Sequence, residues 1–562
     1  MPSIEGPNPT SPHNDFAIDT SLFAYTPRKL RVVCIGAGFS GLITAYKLKH
    51  ERPLDFVDFT IYEKNCEVGG VWFENVYPGI GCDIPIHSYI FPFAPNPHWS
   101  QCYAKGPEIQ QYILDTTEKF GLREKVQFNS KVISAIWNEE EGKWKLRVQR
   151  NGDGEVVEDS ADVLLNGGGI LNNWVMPKIE GLETYDGKLL HTAKWDTSYD
   201  TTNKRIAVIG NGSSALQVVP AVQPTAQQIT NYIRHPTWVS TNLAGDITKD
   251  GMGTNFFYTE EEKQLYASDP AAFLEYRKYV ERSVNSVYKL MFSGSPENAF
   301  LHNLVTGVMQ QRLSKKPELI EKLIPDYELG CRRLSPGDGY LEAMQADNAA
   351  FCFDPILKIT PKGILTEKGE EEEYDLIVCA TGFNTSFIPP FEFIGRDGRK
   401  LSEEWKDIPK AYFSLCAAGF PNYFVFSGPN SPLGHGSLPV MLDWSASYML
   451  DWIEKIAKED IKSVVVKDSI VDTFNRFATE NLKRNVWSKG CTAWYSKKNG
   501  PGESNTVTAM YPGSALHFKE YLKTIRGEHF DIRYNTTNPF RYLGNGELRM
   551  EREGGDMAYY LQ

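Results

Sequence analysis

The sequence has a glycine-rich turn, GAGFSG at residues 36–41, between a short apolar run (Leu30 to Ile35) and a helical pattern. In such a unit the first glycine permits a tight turn, the second lets the backbone approach a pyrophosphate, and the third lets helix and strand pack closely. The helix N-terminus attracts phosphate charge. About 20 residues further on, at the end of a second apolar run, Glu63 can accept hydrogen bonds from ribose hydroxyls. We therefore predict a dinucleotide site that includes Gly36, Gly38, Phe39, Ser40, Gly41, Glu63 and Lys64.

A second turn of this type, GNGSSA at residues 210–215, follows the apolar run Arg205 to Ile209. Alanine at its last position is tolerated. About 20 residues further on, where an NAD site has a carboxylate, the chain has Arg234 and His235, and an arginine there can pair with a 2′-phosphate. This favours NADPH over NADH, although a solvated surface arginine would show the same spacing. The predicted site comprises Gly210, Gly212, Ser213, Ser214, Ala215, Arg234 and His235.

Two dinucleotide sites in one chain indicate electron transfer between two cofactors, most simply from a nicotinamide to a flavin. Disulfide reductases of similar layout need a cysteine pair beside the flavin, but the nine cysteines here are scattered and include no C-x-x-C pair. We therefore expect reduced thiols, no redox disulfide and no zinc or other metal site. The electron acceptor is then dioxygen, another protein or a small molecule.

The composition excludes other classes of function. A net charge of −12 over 562 residues lacks the basic footprint of a nucleic-acid binder. No run of about 18 apolar residues is present, so no transmembrane helix is expected. The N-terminus has Pro2, Glu5 and Asp15 where a secretory signal would be basic and then apolar. We expect a soluble, cytoplasmic protein.

The order of the patterns predicts an α/β fold with two Rossmann-like dinucleotide-binding domains, for FAD and for NADPH. Residues 1–29 form a loose N-terminal extension, residues 30–178 plus 377–562 a discontinuous FAD domain, and residues 179–376 the NADPH domain. A helical insert at about 245–328 is predicted by the helix opening Asp269-Pro270 and by apolar spacings of three and four after it. Strands near 363–365, 375–379 and 423–426 are expected to return the chain to the first domain.

Two further stretches resemble motifs of one family. Tyr185-x-Gly187-x-x-x-His191-x-x-x-Trp195-Asp196 resembles the Baeyer–Villiger monooxygenase fingerprint F-x-G-x-x-x-H-x-x-x-W-(P/D), with tyrosine replacing the usual phenylalanine. The stretch from Gly69 through Tyr77-Pro78-Gly79 to Asp83 matches a companion motif without a gap. With both glycine turns, the resemblance to these class B flavoprotein monooxygenases covers roughly residues 30 to 500. In its general sequence pattern the chain is most similar to fungal members of this family that act in secondary metabolism.

The resemblance implies roles for individual residues. Arg333 matches the active-site arginine over the flavin, and Asp83 the carboxylate that orients it. Arg332 matches a basic residue on the 2′-phosphate, and Trp494 resembles a tryptophan near the nicotinamide and substrate. The fingerprint residues Gly187, His191, Trp195 and Asp196 are implied to couple the two domains. The FAD site then also includes Gly70, Val71, Trp72, Asp83 and Tyr89.

The activity implied is insertion of one oxygen atom from dioxygen next to a ketone carbonyl, through a C4a-peroxide of the reduced flavin, to give an ester or lactone. Oxidation of sulfur or nitrogen by the same kind of enzyme remains the first alternative, and an electron-transfer flavoprotein reductase the second. The helical insert and the high aromatic content favour a bulky secondary-metabolite ketone. The oligomeric state is left open.

Overall fold

The structure is a computed structural model that describes residues 16–152, 154–500 and 505–561. Residues 1–15, which make up half of the predicted N-terminal extension, lie outside the described residues. At the other end of that extension, Ala24 and Tyr25 donate backbone hydrogen bonds to the carbonyls of Glu547 and Tyr542. The last part of the extension therefore packs against C-terminal residues.

The first part of the chain forms a parallel sheet, a helix on it and an antiparallel extension. Its elements are β1 (Leu30–Ile35), α1 (Phe39–Tyr46), β2 (Val57–Tyr62), α2 (Val71–Glu74), α3 (Gly106–Lys119), β3 (Val126–Gln127), β4 (Ser130–Asn138), β5 (Lys143–Arg150), β6 (Val156–Ala161) and β7 (Val163–Asn166).

The middle part forms a second parallel sheet interrupted by helices. Its strands are β8 (Lys188–His191), β9 (Arg205–Ile209), β10 (Gln228–Tyr232), β11 (Val239–Ser240), β12 (Ser335–Pro336), β13 (Ala349–Cys352), β14 (Ile356–Ile359), β15 (Gly363–Thr366), β16 (Glu371–Glu373) and β17 (Leu376–Cys379). Its helices are α4 (Ser213–Val222), α5 (Glu260–Ser268), α6 (Pro270–Ser286), α7 (Pro296–Arg312), α8 (Ile320–Leu323) and α9 (Tyr340–Ala343).

The last part returns to the first sheet. Its strands are β18 (Glu392–Ile394), β19 (Tyr423–Val425), β20 (Ile461–Val466), β21 (Ser496–Lys497), β22 (Thr506–Val507) and β23 (Phe530–Tyr534). Its helices are α10 (Leu401–Glu404), α11 (Leu438–Lys458), α12 (Asp468–Leu482), α13 (Ala515–Leu522) and α14 (Arg549–Arg552). None of the helices in the described part of the chain is long and apolar enough to span a bilayer.

Two five-stranded parallel sheets dominate the fold, in the orders β19-β7-β1-β2-β3 and β13-β10-β9-β17-β8. Each has the strand that precedes a glycine turn, β1 or β9, at its centre, where both faces are covered and the strand reads as a continuous apolar run. The predicted α/β fold with two Rossmann-like sheets is therefore confirmed.

The predicted helical insert is present as α5 to α8. Asp269 caps α6 by accepting hydrogen bonds from the N–H groups of Ala271 and Ala272 at 3.0 Å. The predicted apolar face is buried at Phe273 and Val280. Helices α7 and α8 pack with α4 and α9 in one apolar core, whereas α6 contributes Val280 and Val284 to the core of the first sheet.

One expectation about the strands is wrong. Residues 375–379 were expected to return the chain to the first domain, but β17 lies inside the second sheet, between β9 and β8. Strand β15 pairs with β14 and β16 in a small antiparallel sheet. The return is made by β18 and β19, which pair with β4 and β7. Continuous apolar runs look alike in any buried parallel sheet, so the pattern of β17 did not identify its sheet.

Candidate active site

A cavity of about 570 Å³ lies where the two sheets meet. It is lined from one side by the turn after β1, with Gly36 and Gly38, and from the other by the start of α4, with Ser213 and Ser214. Its volume is in the range of small-molecule and cofactor sites. The carboxyl ends of both sheets therefore open into one space, which is where parallel α/β sheets bind ligands.

The first glycine turn is fixed by close backbone contacts. Gly36 has a positive φ of 95°, and a Cβ on it would lie 2.7 Å from the carbonyl oxygen of Gly167. A Cβ on Gly41 would lie 2.2 Å from the carbonyl oxygen of Gly36. On Gly38, which precedes α1, a Cβ would meet nothing closer than Gly70 at 3.6 Å. Two glycines thus close the turn, while the third leaves backbone open to a ligand.

Glu63 follows β2 and lines the cavity although only 3% of it is exposed. Its carboxylate accepts hydrogen bonds from the backbone N–H groups of Ala37 at 2.7 Å and Asn65 at 2.8 Å. Burial raises the pKa of this carboxyl, and the two backbone donors oppose the shift. The same two donors fix the carboxylate at the edge of the cavity, where a ribose would lie.

The remaining predicted FAD residues are grouped around α2. Gly70 precedes this helix with a positive φ of 57°, and the indole N–H of Trp72 donates to the hydroxyl of Tyr89 at 3.3 Å. Lys64 pairs with Glu74 at 2.7 Å. The predicted residues Gly70, Trp72, Tyr89 and Lys64, with Phe39, Ser40 and Val71, all line the cavity.

The second turn leaves more open space than the first. Gly210 has a positive φ of 109°, and a Cβ on it would meet the carbonyl oxygen of Ala380 at 2.5 Å. A Cβ on Gly212 would meet nothing within 4 Å. The hydroxyl of Ser213 lies 3.1 Å from that of Ser335, and Ala215 is buried inside α4.

Arg234, His235 and Arg332 form a cationic group beside this turn. The amide of Asn211 donates to the carbonyl of His235 at 2.8 Å, which ties the group to the glycine turn. Burial, and then the charges of Arg332, Arg234 and Lys498, lower the pKa of His235. The three cations therefore act on the same imidazole. Lys498 was not predicted, because it comes from a distant hairpin.

Arg333 and Asp83 form a two-point ion pair within the cavity lining. Nη2 of Arg333 donates to Oδ1 at 3.0 Å and to Oδ2 at 2.8 Å, and Nε donates to Oδ2 at 3.2 Å. The side chain of Arg333 remains 39% exposed and that of Asp83 19%. Because the carboxylate faces it, the pKa of Arg333 is raised further. The cavity thus contains a permanently charged and oriented guanidinium.

Trp494 lines the same cavity and comes from the loop before β21. This loop corrects the expectation that all cysteines are reduced, because Cys491 forms a disulfide with Cys331, across a Cα–Cα distance of 6.2 Å. The two positions are 160 residues apart, and neither belongs to a C-x-x-C pair. Sequence spacing therefore had no means of pairing them.

The fingerprint residues lie outside the cavity lining, at the two ends of β8 in the second sheet. His191, the last residue of β8, stacks on Trp174 at a centroid distance of 5.0 Å and has Phe383 edge-on at 6.4 Å. Its Nδ1 accepts from the N–H of Ala193 at 3.1 Å. Trp195 is buried.

Asp196 and Gly187 flank that position. Asp196 pairs with Lys188, and this hydrogen bond is the main cause that lowers the pKa of Asp196 to about 2. A Cβ on Gly187 would lie 2.4 Å from the hydroxyl oxygen of Tyr185. The role of these residues in coupling the domains remains a prediction.

The sequence did not identify the individual residues that form an apolar wall of the cavity. Val284 and Val287 come from the helical insert, whereas Leu433, Met441 and Leu442 come from the start of α11 and the loop before it. These positions carry no motif, so only their helical spacing gave any signal.

The chain is similar to known proteins over most of its length. A model of the family "Flavin-binding monooxygenase-like" matches residues 29–306. The chain is 64% identical to the FAD-binding monooxygenase tazF of Aspergillus terreus, over 97% of this chain and 96% of that protein. It is 33% identical to a Baeyer-Villiger monooxygenase of Pseudomonas aeruginosa, over 97% of this chain and 99% of that protein.

Solved structures are similar over most of the chain. Cyclohexanone monooxygenase from Rhodococcus sp. Phi1, bound to NADP+, superposes with a TM-score of 0.77 at 24% identity, and 91% of this chain and 100% of that chain are covered. An oxidised steroid monooxygenase bound to NADP superposes with a TM-score of 0.74 at 25% identity, covering 90% of this chain and 100% of that chain.

Two glycine turns that open into one cavity define an oxidoreductase that binds two dinucleotides. The chain belongs to the flavin-binding monooxygenase family, and Baeyer–Villiger enzymes are among its relatives. The resemblance inferred from the motifs is therefore confirmed, and the protein is a flavin-dependent monooxygenase. Its own residues fit the flavin nucleotide, because the backbone at Gly38 is open to the cavity and Glu63 is fixed beside it.

Proposed function

We propose that the protein is a Baeyer–Villiger monooxygenase that uses FAD, NADPH and dioxygen to insert one oxygen atom next to a ketone carbonyl. The observation that carries the proposal is the ion pair of Arg333 with Asp83 in a cavity shared by both glycine turns. Bound NADPH would supply a hydride, and bound FAD would use it to activate dioxygen.

Arg333 acts in this proposal as a fixed positive charge. Negative charge develops on oxygen when a ketone is attacked, and a preorganised cation in a cavity stabilises that charge. Because Asp83 raises the pKa of Arg333, the guanidinium keeps its protons throughout the working pH range. Arg333 is therefore a hydrogen-bond donor and a charge, and Asp83 sets its direction.

The two nucleotides are assigned by the groups around each turn. Gly36, Gly38, Gly41 and Glu63 would hold the pyrophosphate and ribose of FAD. Arg234, with Arg332 and His235, would bind the 2′-phosphate of NADPH, since no carboxylate among the described residues forms an ion pair with Arg234 or Arg332. Trp494 would contact the nicotinamide end.

The substrate class follows from the apolar wall. Val284 of α6, Val287 directly after it and Leu442 of α11 line the same cavity as Arg333. Such a wall favours a bulky, largely apolar ketone, which we propose to be a secondary metabolite. We also propose a cytoplasmic location, on the acidic composition of the chain.

The test is oxygenation in 18O2. The purified protein is supplied with FAD, NADPH and matched panels of cyclic ketones, aromatic polyketide ketones and sulfides, and products are analysed by mass. An ester or lactone that carries one 18O supports the proposal. Oxidation of sulfides without any ketone turnover would instead identify a heteroatom monooxygenase. NADPH consumption that requires a protein acceptor, with no 18O in any product, would identify a reductase.

A further inference from the structure

The Cys331–Cys491 disulfide joins the two segments that carry charged and aromatic groups of the proposed cofactor site. On one side, Cys331 immediately precedes Arg332 and Arg333. On the other, Cys491 stands three residues before Trp494. Cys331 is fully buried and Cys491 is 9% exposed, so the bond lies within the structure and not at its surface.

Hydrogen bonds around the disulfide fix the direction of Arg332. Its Nε donates to the carbonyl of Thr492 at 2.8 Å, the residue directly after Cys491. Its Nη1 donates to the carbonyl of Pro236 at 3.4 Å, and its guanidinium lies 5.4 Å from the centroid of the Tyr327 ring. The guanidinium is thus held from one side, with donors left for an anion.

Other contacts hold the same two segments together. The hydroxyl of Tyr495 donates to the carbonyl of Gly330 at 3.2 Å and to that of Cys331. The amide of Asn505 donates to the carbonyl of Cys491 at 2.8 Å. The segments would therefore stay near each other without the disulfide, but the carbonyl of Thr492 would be anchored by fewer bonds.

We propose that the Cys331–Cys491 disulfide is a positioning element for the 2′-phosphate of NADPH. It holds residues 491–494 against the turn 330–333, so that Thr492 orients Arg332 beside Arg234. This inference rests on the NADPH site proposed above. It concerns the 2′-phosphate, because Arg332 is the charged group that the disulfide positions, whereas the pyrophosphate would contact the turn at residues 210–215.

The first arm of the test counts thiols. The cells are lysed in an alkylating reagent, the protein is denatured without a reductant, and alkylated cysteines are counted by mass. Seven of the nine cysteines should be alkylated, and all nine after reduction. Nine alkylated cysteines before reduction would overturn the proposal, whatever the enzyme oxidises.

The second arm compares Cys331→Ser, Cys491→Ser and the double variant by calorimetry with 2′,5′-ADP and with 5′-AMP. Each variant should weaken binding of 2′,5′-ADP by about tenfold, the size of one charge-assisted contact, and leave 5′-AMP unchanged. The double variant should be no weaker than either single one, because each change removes the same bond. Cys66→Ser, at an exposed free thiol, and Cys352→Ser, in β13 of the same sheet, are the matched controls.

Turnover separates positioning from a general structural role. In the three disulfide variants the KM for NADPH should rise about tenfold while the KM for NADH and the bound flavin stay constant. Equal losses with NADPH and NADH, or a loss of flavin together with a lower Tm, would show that the bond only stabilises the fold. None of these outcomes depends on whether a ketone is the substrate.

Discussion

The guanidinium of Arg333 and the carboxylate of Asp83 meet through three hydrogen bonds of 2.8 to 3.2 Å, although the residues are 250 positions apart. Asp83 comes from the loop after α2, beside the first sheet, and Arg333 from the turn that ends the helical insert of the second. One ion pair thus connects the two halves of the molecule at the point where their cavity is shared.

Removal of this cation should slow oxygenation strongly and spare reduction of the flavin. Arg333→Ala should lower the rate of ester formation by a factor of about 10² to 10³, the usual effect of losing a preorganised charge at a developing oxyanion. NADPH-dependent reduction of the flavin should change little, as measured by stopped-flow absorbance. Arg123→Ala, which breaks another arginine–carboxylate pair, with Glu67 at 2.7 Å and outside the cavity lining, is the matched control. Ketone oxidation at the normal rate in Arg333→Ala would refute the role.

The choice of nicotinamide cofactor should depend on Arg234. Arg234→Ala should raise the KM for NADPH by about tenfold to a hundredfold, because a charge-assisted contact with the 2′-phosphate is lost, and should leave the KM for NADH unchanged. Steady-state kinetics with both cofactors checks this. Arg205→Ala, at the start of β9 on the opposite end of the same sheet, serves as the control. A loss that is equal for NADPH and NADH would show that Arg234 does not contact the 2′-phosphate.

Substitution by alanine should affect stability and cofactor binding differently at the glycines of the two turns. Gly41→Ala brings a Cβ to 2.2 Å from the carbonyl oxygen of Gly36, so we expect a lower Tm and loss of bound flavin. A Cβ on Gly212 meets nothing within 4 Å, so Gly212→Ala should keep the Tm and the flavin and weaken only NADPH binding. Calorimetric melting and the flavin absorbance of the purified variants measure both effects. Flavin loss in Gly212→Ala would contradict the assignment of the two turns.

Glu281 on α6 makes the stability of the insert depend on pH. Burial raises its pKa to about 7 from 4.5, although Arg277 opposes the shift. A carboxyl whose pKa is raised on folding contributes most stability below its unfolded pKa, and this is lost as the pH rises through the folded value. We therefore expect Glu281→Gln to stabilise the protein by about 1 to 2 kcal/mol at pH 8.5 and not at pH 4.5.

Thermal unfolding at both pH values checks this prediction, with Glu275→Gln as the control. Glu275 lies on the same helix but is exposed and pairs with Lys278 at 2.8 Å, which lowers its pKa. The Glu275→Gln variant should therefore show no gain in stability at pH 8.5. An equal gain for Glu281→Gln at both pH values would mean that the carboxyl is not protonated on folding.

The features of the fold that depend on consecutive residues could be predicted from the sequence. Strands β1 and β9 have the predicted bounds, because a buried apolar run followed by a glycine turn is read from consecutive residues. The cap of α6 by Asp269 is a similar case. The mixed sheet β18-β4-β5-β6 was missed, although β5 alternates charged and apolar residues as a half-buried strand does.

Contacts between distant residues could not be predicted in this way. The pairing of Asp83 with Arg333 followed only from the family resemblance, since nothing in their spacing relates them. Cys331 and Cys491 were expected to be thiols, because the chain looked intracellular and its cysteines form no C-x-x-C pair. Neither criterion detects a disulfide between cysteines that only the tertiary structure brings together. The placement of β17 depends on sheet order, which no single strand encodes.

The stack of His191 on Trp174, with Phe383 beside it, has a consequence for how the molecule moves. Residues 167–187, between β7 and β8, and residues 380–391, between β17 and β18, connect the two halves of the chain, and Trp174 and Phe383 are bridged to each other. The imidazole of His191 thus contacts both connecting stretches at one point. We therefore expect a rotation of either half to move both stretches together.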